Sequence, residues 1–201
     1  MAKSKLPETP AKDFMCGVII YNYRHDKEKI VIPKKINNLP VSEIGGGAFE
    51  HDNTLKKIVL QEPLQWIGDG AFIHCHNLEE VILPKSLVVI DCGAFQYCYN
   101  LKKIDFPKYL RTIEYRAFNC CSSLTEIIIP DSVQTIGTET FQYCDNLSKV
   151  YIPDSVIEIG YDIFKDCKNL KYVYFNTSKW SKEDIRNIFG KNPQFEILPL
   201  K

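Results

Sequence analysis

The sequence places two histidines on either side of a cysteine, at His74, Cys75 and His76. Imidazole and thiolate are both zinc ligands, and zinc binds its ligands at tetrahedral positions. If Cys75 points inward, the flanking histidines point to solvent and the three side chains do not converge on one ion. We therefore interpret His74 and His76 as solvated surface residues. A metal protein using the His74–His76 patch is kept as an alternative.

Cysteine recurs at a spacing of 23 residues, in a column made of Cys75, Cys98, Cys121, Cys144 and Cys167. Equivalent positions in stacked strands lie about 4.8 Å apart with parallel Cα–Cβ bonds. A disulfide instead prefers Cβ atoms about 3.8 Å apart on converging bonds. We therefore expect these five thiols to be buried, unpaired hydrophobic residues.

Cys120 and Cys92 lie outside that column and are the remaining candidates for a reactive thiol. An enzyme built on Cys120 or Cys92 is a second alternative, although nothing near either residue predicts a lowered thiol pKa. The sequence shows no strained nucleophile turn, phosphate-binding glycine loop or carboxylate pair. We therefore expect a protein without catalytic residues, bound cofactor or metal.

The same 23-residue spacing recurs in the apolar residues that must position these side chains. Phenylalanine recurs in a column made of Phe49, Phe72, Phe95, Phe118, Phe141 and Phe164. Each repeat also carries an alternating apolar segment, such as Ile58–Leu60, that is typical of a half-buried strand. Because so short a repeat cannot bury its own apolar face, copies must stack on one another in a solenoid.

The repeat reads Ile-Gly-x-x-Ala-Phe-x-x-Cys-x-Asn-Leu-x-x-Val-x-Ile-Pro, and six units follow it in register. This pattern resembles the BspA-type leucine-rich repeat over roughly residues 30–175. The resemblance implies a non-catalytic protein-interaction module, with adhesion or host-protein recognition as its role. A structural scaffold is a third alternative. Together, pattern and resemblance predict a leucine-rich-repeat solenoid of six right-handed coils, with one parallel β-sheet and short helical or irregular turns on the convex side.

The chain divides into a leader and one domain. The predicted parts are a disordered leader (1–13) and a single leucine-rich-repeat domain (14–201), made of an N-terminal hairpin cap with a divergent first repeat (14–43), repeats (44–175) and a C-terminal helical cap (176–201). The hairpin would join two strands, residues 16–23 and 28–32. A capping-box pattern beginning at Ser181 predicts a helix over residues 182–189.

Composition excludes several classes of partner. Lys plus Arg and Asp plus Glu number 25 each, so no basic surface predicts binding to nucleic acid or to anionic lipid. No apolar run is long enough to insert into a membrane. The printed chain lacks an apolar signal segment and has unpaired cysteines, which favours the cytoplasm. The resemblance instead implies the cell surface or secretion, if a signal has been removed.

Alternation along the strands predicts which side chains face solvent. One outward column alternates in charge and ends in tyrosine, with Lys57, Glu80, Lys103, Glu126, Lys149 and Tyr172. The next outward column is more apolar, with Val59, Ile82, Asp105, Ile128, Tyr151 and Tyr174. Because tyrosine is enriched at interface hot spots, we predict that Ile128, Tyr151, Tyr172 and Tyr174 bind a protein partner. The alternatives are that the tail, residues 191–201, folds over Tyr174, or that the strand face simply carries residues that favour β-structure.

Overall fold

Each repeat forms one coil, most coils contribute two short strands, and the strands of successive coils stack in parallel. The computed structural model describes residues 17–190 and 193–200. The predicted disordered leader, residues 1–13, lies outside the described residues. The solenoid of the leucine-rich-repeat type is confirmed.

The first stack is formed by the alternating apolar segments. Its strands are β2 (Lys29–Val31), β5 (Lys57–Val59), β7 (Glu80–Ile82), β10 (Glu126–Ile128), β12 (Lys149–Tyr151), β14 (Tyr172–Tyr174) and β15 (Glu196–Leu198). Between β7 and β10, the intervening coil contributes only an isolated bridge between Glu80 and Lys103. The stack therefore consists of an N-terminal segment of three strands and a C-terminal segment of four.

The other strands of the coils form a second parallel stack, so the prediction of one sheet was wrong. Its strands are β1 (Val18–Ile20), β4 (Leu39–Ile44), β6 (Trp66–Ile67), β8 (Val89–Ile90), β9 (Thr112–Ile113), β11 (Thr135–Ile136) and β13 (Glu158–Ile159). Most of these strands have two residues, too few to show the alternation that identifies a strand in sequence.

The N-terminal strands β1 and β2 do not form the predicted hairpin with each other. Each pairs in parallel with the next coil, β1 with β4 and β2 with β5. An antiparallel hairpin forms instead between β3 (Lys35–Ile36) and β4. Its turn is made by Asn37 and Asn38, with φ of 50° and 65°, the left-handed pair that a two-residue hairpin loop requires.

A continuous stack of aromatic rings runs through the core. Neighbouring rings of the phenylalanine column lie 5.0 to 5.8 Å apart between centroids and are nearly parallel. Tyr23 extends the column at one end, 5.3 Å from Phe49, and Phe189 extends it at the other, 6.2 Å from Phe164. Aromatic contacts therefore connect all the coils to both ends of the solenoid.

The C-terminal end is closed by a 3₁₀ turn (Thr177–Lys179), helix α1 (Lys182–Phe189) and β15. The helix has the predicted boundaries. Ser181 Oγ accepts from the backbone N–H of Asp184, and the Asp184 carboxylate accepts from the backbone N–H of Ser181. This capping box satisfies free backbone amides at the helix start. It therefore fixes the position of the helix, whose last residue, Phe189, is buried in the core.

Candidate binding face

The candidate site lies on the outward side of the C-terminal segment of the first stack. Strand alternation buries Ile127, Val150 and Val173 and turns the residues on either side of them outward. Ile128 is 60% exposed, because it points outward from β10 on the side opposite Ile127. The four residues predicted to bind a partner all lie on three neighbouring strands, in β10, β12 and β14.

Two of the tyrosines form a stacked pair. The Tyr151 and Tyr174 rings stack 4.4 Å apart at an interplanar angle of 2°, since the register pairs these residues directly across β12 and β14. Ile128 is the next residue in the same column, paired with Tyr151. Tyr172 lies in the adjacent outward column, where it pairs with Lys149. All three tyrosines are half-buried.

The C-terminal tail extends this face instead of covering it. Strand β15 pairs in parallel with β14 at the edge of the sheet, matching Tyr172 with Glu196 and Tyr174 with Leu198. Leu198 therefore continues the column of Ile128, Tyr151 and Tyr174. Leu198 lies within residues 176–201, which were predicted to form a C-terminal cap. Its position in the outward column could have been found only by predicting the parallel pairing of the tail.

The N-terminal segment of the same stack has a different surface. Ion pairs join Lys56 to Glu28 at 2.8 Å, Lys57 to Glu80 at 2.7 Å, and Lys102 to Glu79 at 2.6 Å. They line a groove of about 690 Å³ whose walls are mostly charged side chains. Val31, 59% exposed, is an outward apolar residue here that sequence analysis missed.

The two candidate thiols do not have the properties of a catalytic cysteine. Burial, followed by the charge of Asp145, raises the pKa of the Cys120 thiol. Burial and several carboxylates, first that of Asp91, raise the pKa of Cys92 to about 11. A nucleophilic cysteine needs the opposite shift. Neither thiol is therefore activated by its surroundings.

The cysteine column is buried and unpaired, as predicted. All five thiols are free, and each donates a hydrogen bond to the carbonyl of the phenylalanine in the preceding coil, at 3.0 to 3.3 Å. Burial raises the pKa of Cys75 and of Cys167 to about 12. Cys16 lies outside the described residues.

His74 and His76 lie at the turn of their coil, on either side of the buried Cys75. The structure brings the two imidazoles together, with His74 Nδ1 3.3 Å from His76 Nε2. Desolvation, followed by the neighbouring His51 and His76, lowers the pKa of His74. Cys75 does not join them, and within residues 17–190 and 193–200 no three His, Cys, Asp or Glu side chains are arranged to hold a metal.

Comparison with known proteins identifies the family. The model of the BspA type leucine rich repeat region matches residues 42–171 in six copies. This chain therefore belongs to the BspA-type leucine-rich repeat family. Repeat domains of this kind are typically non-enzymatic interaction modules. Among curated proteins, none matches this chain.

Solved structures agree with the family assignment. A T. pallidum leucine-rich repeat protein matches with a TM-score of 0.77 and 28% identity, over 96% of this chain and 100% of that one. A Bacteroides ovatus leucine-rich repeat protein matches with a TM-score of 0.68 and 31% identity, over 81% of this chain and 47% of that one. This chain thus spans about half the length of the B. ovatus protein.

A third structure, a leucine rich cell surface protein from Faecalibacterium prausnitzii, has a TM-score of 0.64 and 24% identity, over 77% of this chain and 49% of that one. At this identity, the similarity supports the fold alone. None of the helices in the described part of the chain has the length and apolarity that crossing a membrane requires.

Proposed function

We propose that this chain is a non-catalytic protein-binding module whose contact patch consists of Ile128, Tyr151, Tyr172 and Tyr174. The observation that carries the proposal is the stacked pair of Tyr151 and Tyr174, 4.4 Å apart, beside an Ile128 that is 60% exposed. Large aromatic side chains held in place lose little conformational entropy when a partner binds, and tyrosine is among the residues enriched at hot spots.

The surroundings of the patch support a specific interface. Lys149, Glu126 and Glu196 lie beside it on the same strands, and all three are exposed. An apolar centre with a charged rim is the usual arrangement at protein interfaces. We propose that this chain recognises a protein during adhesion, or recognises a host protein, because membership of the family favours such a role.

The test captures partners with the full chain and compares matched variants. Recovery of proteins from lysate and from extracellular matrix is measured for wild type and for the Tyr151→Ala/Tyr172→Ala/Tyr174→Ala variant. The control variant is Val31→Ala/Ile82→Ala, which removes exposed apolar side chains from the same outward column in the N-terminal segment. The tyrosine variant should lose the partner that wild type and the control variant both recover.

The affinity of each variant for a recovered partner is then measured. Tyr151→Ala should weaken binding by about 1–3 kcal/mol, as truncation of a hot-spot aromatic does. The control variant should bind as wild type does. Equal recovery by the tyrosine variant and wild type, or a larger loss in the control variant, would move the site away from this patch.

A further inference from the structure

One coil carries two imidazoles whose nitrogens meet at the surface. His74 Nδ1 and His76 Nε2 are 3.3 Å apart, and the two rings are inclined at 80°. Both side chains are half-buried. Two nitrogens held by a tetrahedral zinc, at about 2.05 Å each, also lie about 3.3 Å apart. The separation in the folded chain matches that of two nitrogens on one ion, and it is also a hydrogen-bond distance, so a bound ion would replace the proton that the two nitrogens share.

The backbone of this segment is fixed on both sides. Cys75, between the two histidines, is fully buried, and its thiol donates to the carbonyl of Phe49 at 3.0 Å. The backbone N–H of His76 donates to Asn53 Oδ1 at 3.1 Å. His74 has a left-handed φ of 60°. Burial of Cys75 thus places the two neighbouring side chains on the same surface of the turn.

Stacking fixes the ring planes as well. The His74 ring lies between His51 and Tyr97, 4.5 Å from each and nearly parallel to both. The His76 ring stacks on Tyr99 at 5.0 Å. Because the neighbouring coils hold the rings, little side-chain freedom is lost when a ligand bridges them.

We propose that His74 and His76 form a bidentate site for a late first-row divalent cation, such as Zn²⁺, Ni²⁺ or Cu²⁺. Imidazole nitrogen suits these metals, whereas Mg²⁺ and Ca²⁺ prefer oxygen. Nδ1 of His74 and Nε2 of His76 bind the ion, so each neutral ring keeps its proton on its other nitrogen. Water completes the coordination, which makes the site exchangeable, unlike a closed structural zinc site.

The pair occurs in one coil and is not a property of the repeat. In the preceding coil the equivalent positions hold His51 and Asn53. In the following coil they hold Tyr97 and Tyr99. The fold therefore already accommodates tyrosine in the slot of His74 and asparagine in the slot of His76.

These neighbours define the variants for the test. Binding of NiCl₂ and of ZnCl₂ is measured by calorimetry on the full chain without a histidine tag, for wild type, His74→Tyr, His76→Asn and the control Cys120→Ser. Circular dichroism verifies folding. In parallel, the histidine ring resonances are followed by NMR during the Zn²⁺ titration.

Wild type should bind one ion, with the ring resonances of His74 and His76 shifting together. Loss of an outer-shell partner alone typically costs about 10–100-fold in metal affinity, so losing a ligand in His74→Tyr or His76→Asn should cost no less. Cys120→Ser, which alters a thiol outside the histidine stack, should bind as wild type does. Absence of binding to wild type, affinity retained in His74→Tyr or His76→Asn, or an equal loss in Cys120→Ser would overturn the proposal.

Discussion

The inward and outward side chains of the same strands obey different constraints. Inward positions of the first stack are aliphatic in every strand of the repeats, as in Ile58, Val81 and Val150. Outward positions vary from Ile82 through Asp105 to Tyr151. An inward side chain packs against equivalent residues in the coils on either side, and close packing tolerates little change in volume. Folding therefore fixes the residues that recur, and the residues that vary are available for binding.

Thiol reactivity should show the largest difference between inward and outward positions. The five thiols of the cysteine column are buried, so a reagent reaches them only when the coils open, at a rate reduced by the free energy of opening. Cys120 and Cys92 are half-buried and should react in the folded protein, slowly because their pKa values are raised. Mass spectrometry of alkylated peptides resolves each thiol, Cys16 included.

The pH dependence of this labelling follows from the sign of the shift. Below its pKa of about 11, the thiolate fraction of Cys92 grows with pH, so its alkylation should accelerate by about tenfold per pH unit. Rapid labelling of Cys98 or Cys121 in the folded protein, or a disulfide between two members of the column, would contradict the packing described above.

Removal of a core ring should be the next largest effect. Phe118 is fully buried between Phe95 and Phe141, so Phe118→Ala should cost about 3–5 kcal/mol of unfolding free energy through lost burial and a cavity. Phe49→Ala should cost less, because one of its stacking neighbours is Tyr23, which is 36% exposed and can move into the space. Urea denaturation measures both free energies.

The control for these two variants is Tyr109→Ala, since Tyr109 is 55% exposed. A surface substitution of this kind should change stability by no more than about 0.5 kcal/mol. Phe49→Ala and Phe118→Ala could instead show equal urea midpoints and equal slopes of unfolding. The N-terminal coil would then be packed as tightly as the central coils, and Tyr23 would not move into the space left by Phe49.

Sequence patterns predicted the parts of the fold that depend on local chemistry. The capping box at Ser181 gave the start of α1, because hydrogen bonds at a helix start are made by residues three apart. The 23-residue columns gave the register of the coils, because each slot repeats the same packing. These signals are contained in a few neighbouring residues or in the period itself.

Pairing between distant strands was not predictable in the same way. Alternation identified β1 and β2 as strands, but alternation does not say whether a strand pairs with its sequence neighbour or with the next coil. The true hairpin carried a signal at Asn37 and Asn38, two residues that tolerate left-handed φ. The outward orientation of Ile128 and the tyrosines followed from alternation, whereas the position of Leu198 depended on a parallel pairing that no local pattern encodes.

The smallest effect should come from the ion pairs of the outward charged column. Lys57 Nζ lies 2.7 Å from Glu80 Oε2, and their side chains are 32% and 51% exposed. Exposed pairs of this kind contribute about 0.2–1 kcal/mol, since water and salt screen their attraction. A double-mutant cycle of Lys57→Ala and Glu80→Ala should therefore give a coupling within that range, which declines as salt is added.

The same cycle also distinguishes the two segments of the first stack. Neither substitution should alter binding of a partner to the patch of Ile128, Tyr151, Tyr172 and Tyr174, because Lys57 and Glu80 lie in the N-terminal segment, on β5 and β7. A coupling well above about 1 kcal/mol that persists in high salt would mean that this pair is shielded from solvent. In that case the charged column would help to hold the coils together, and folding would constrain the outward surface as well as the inward one.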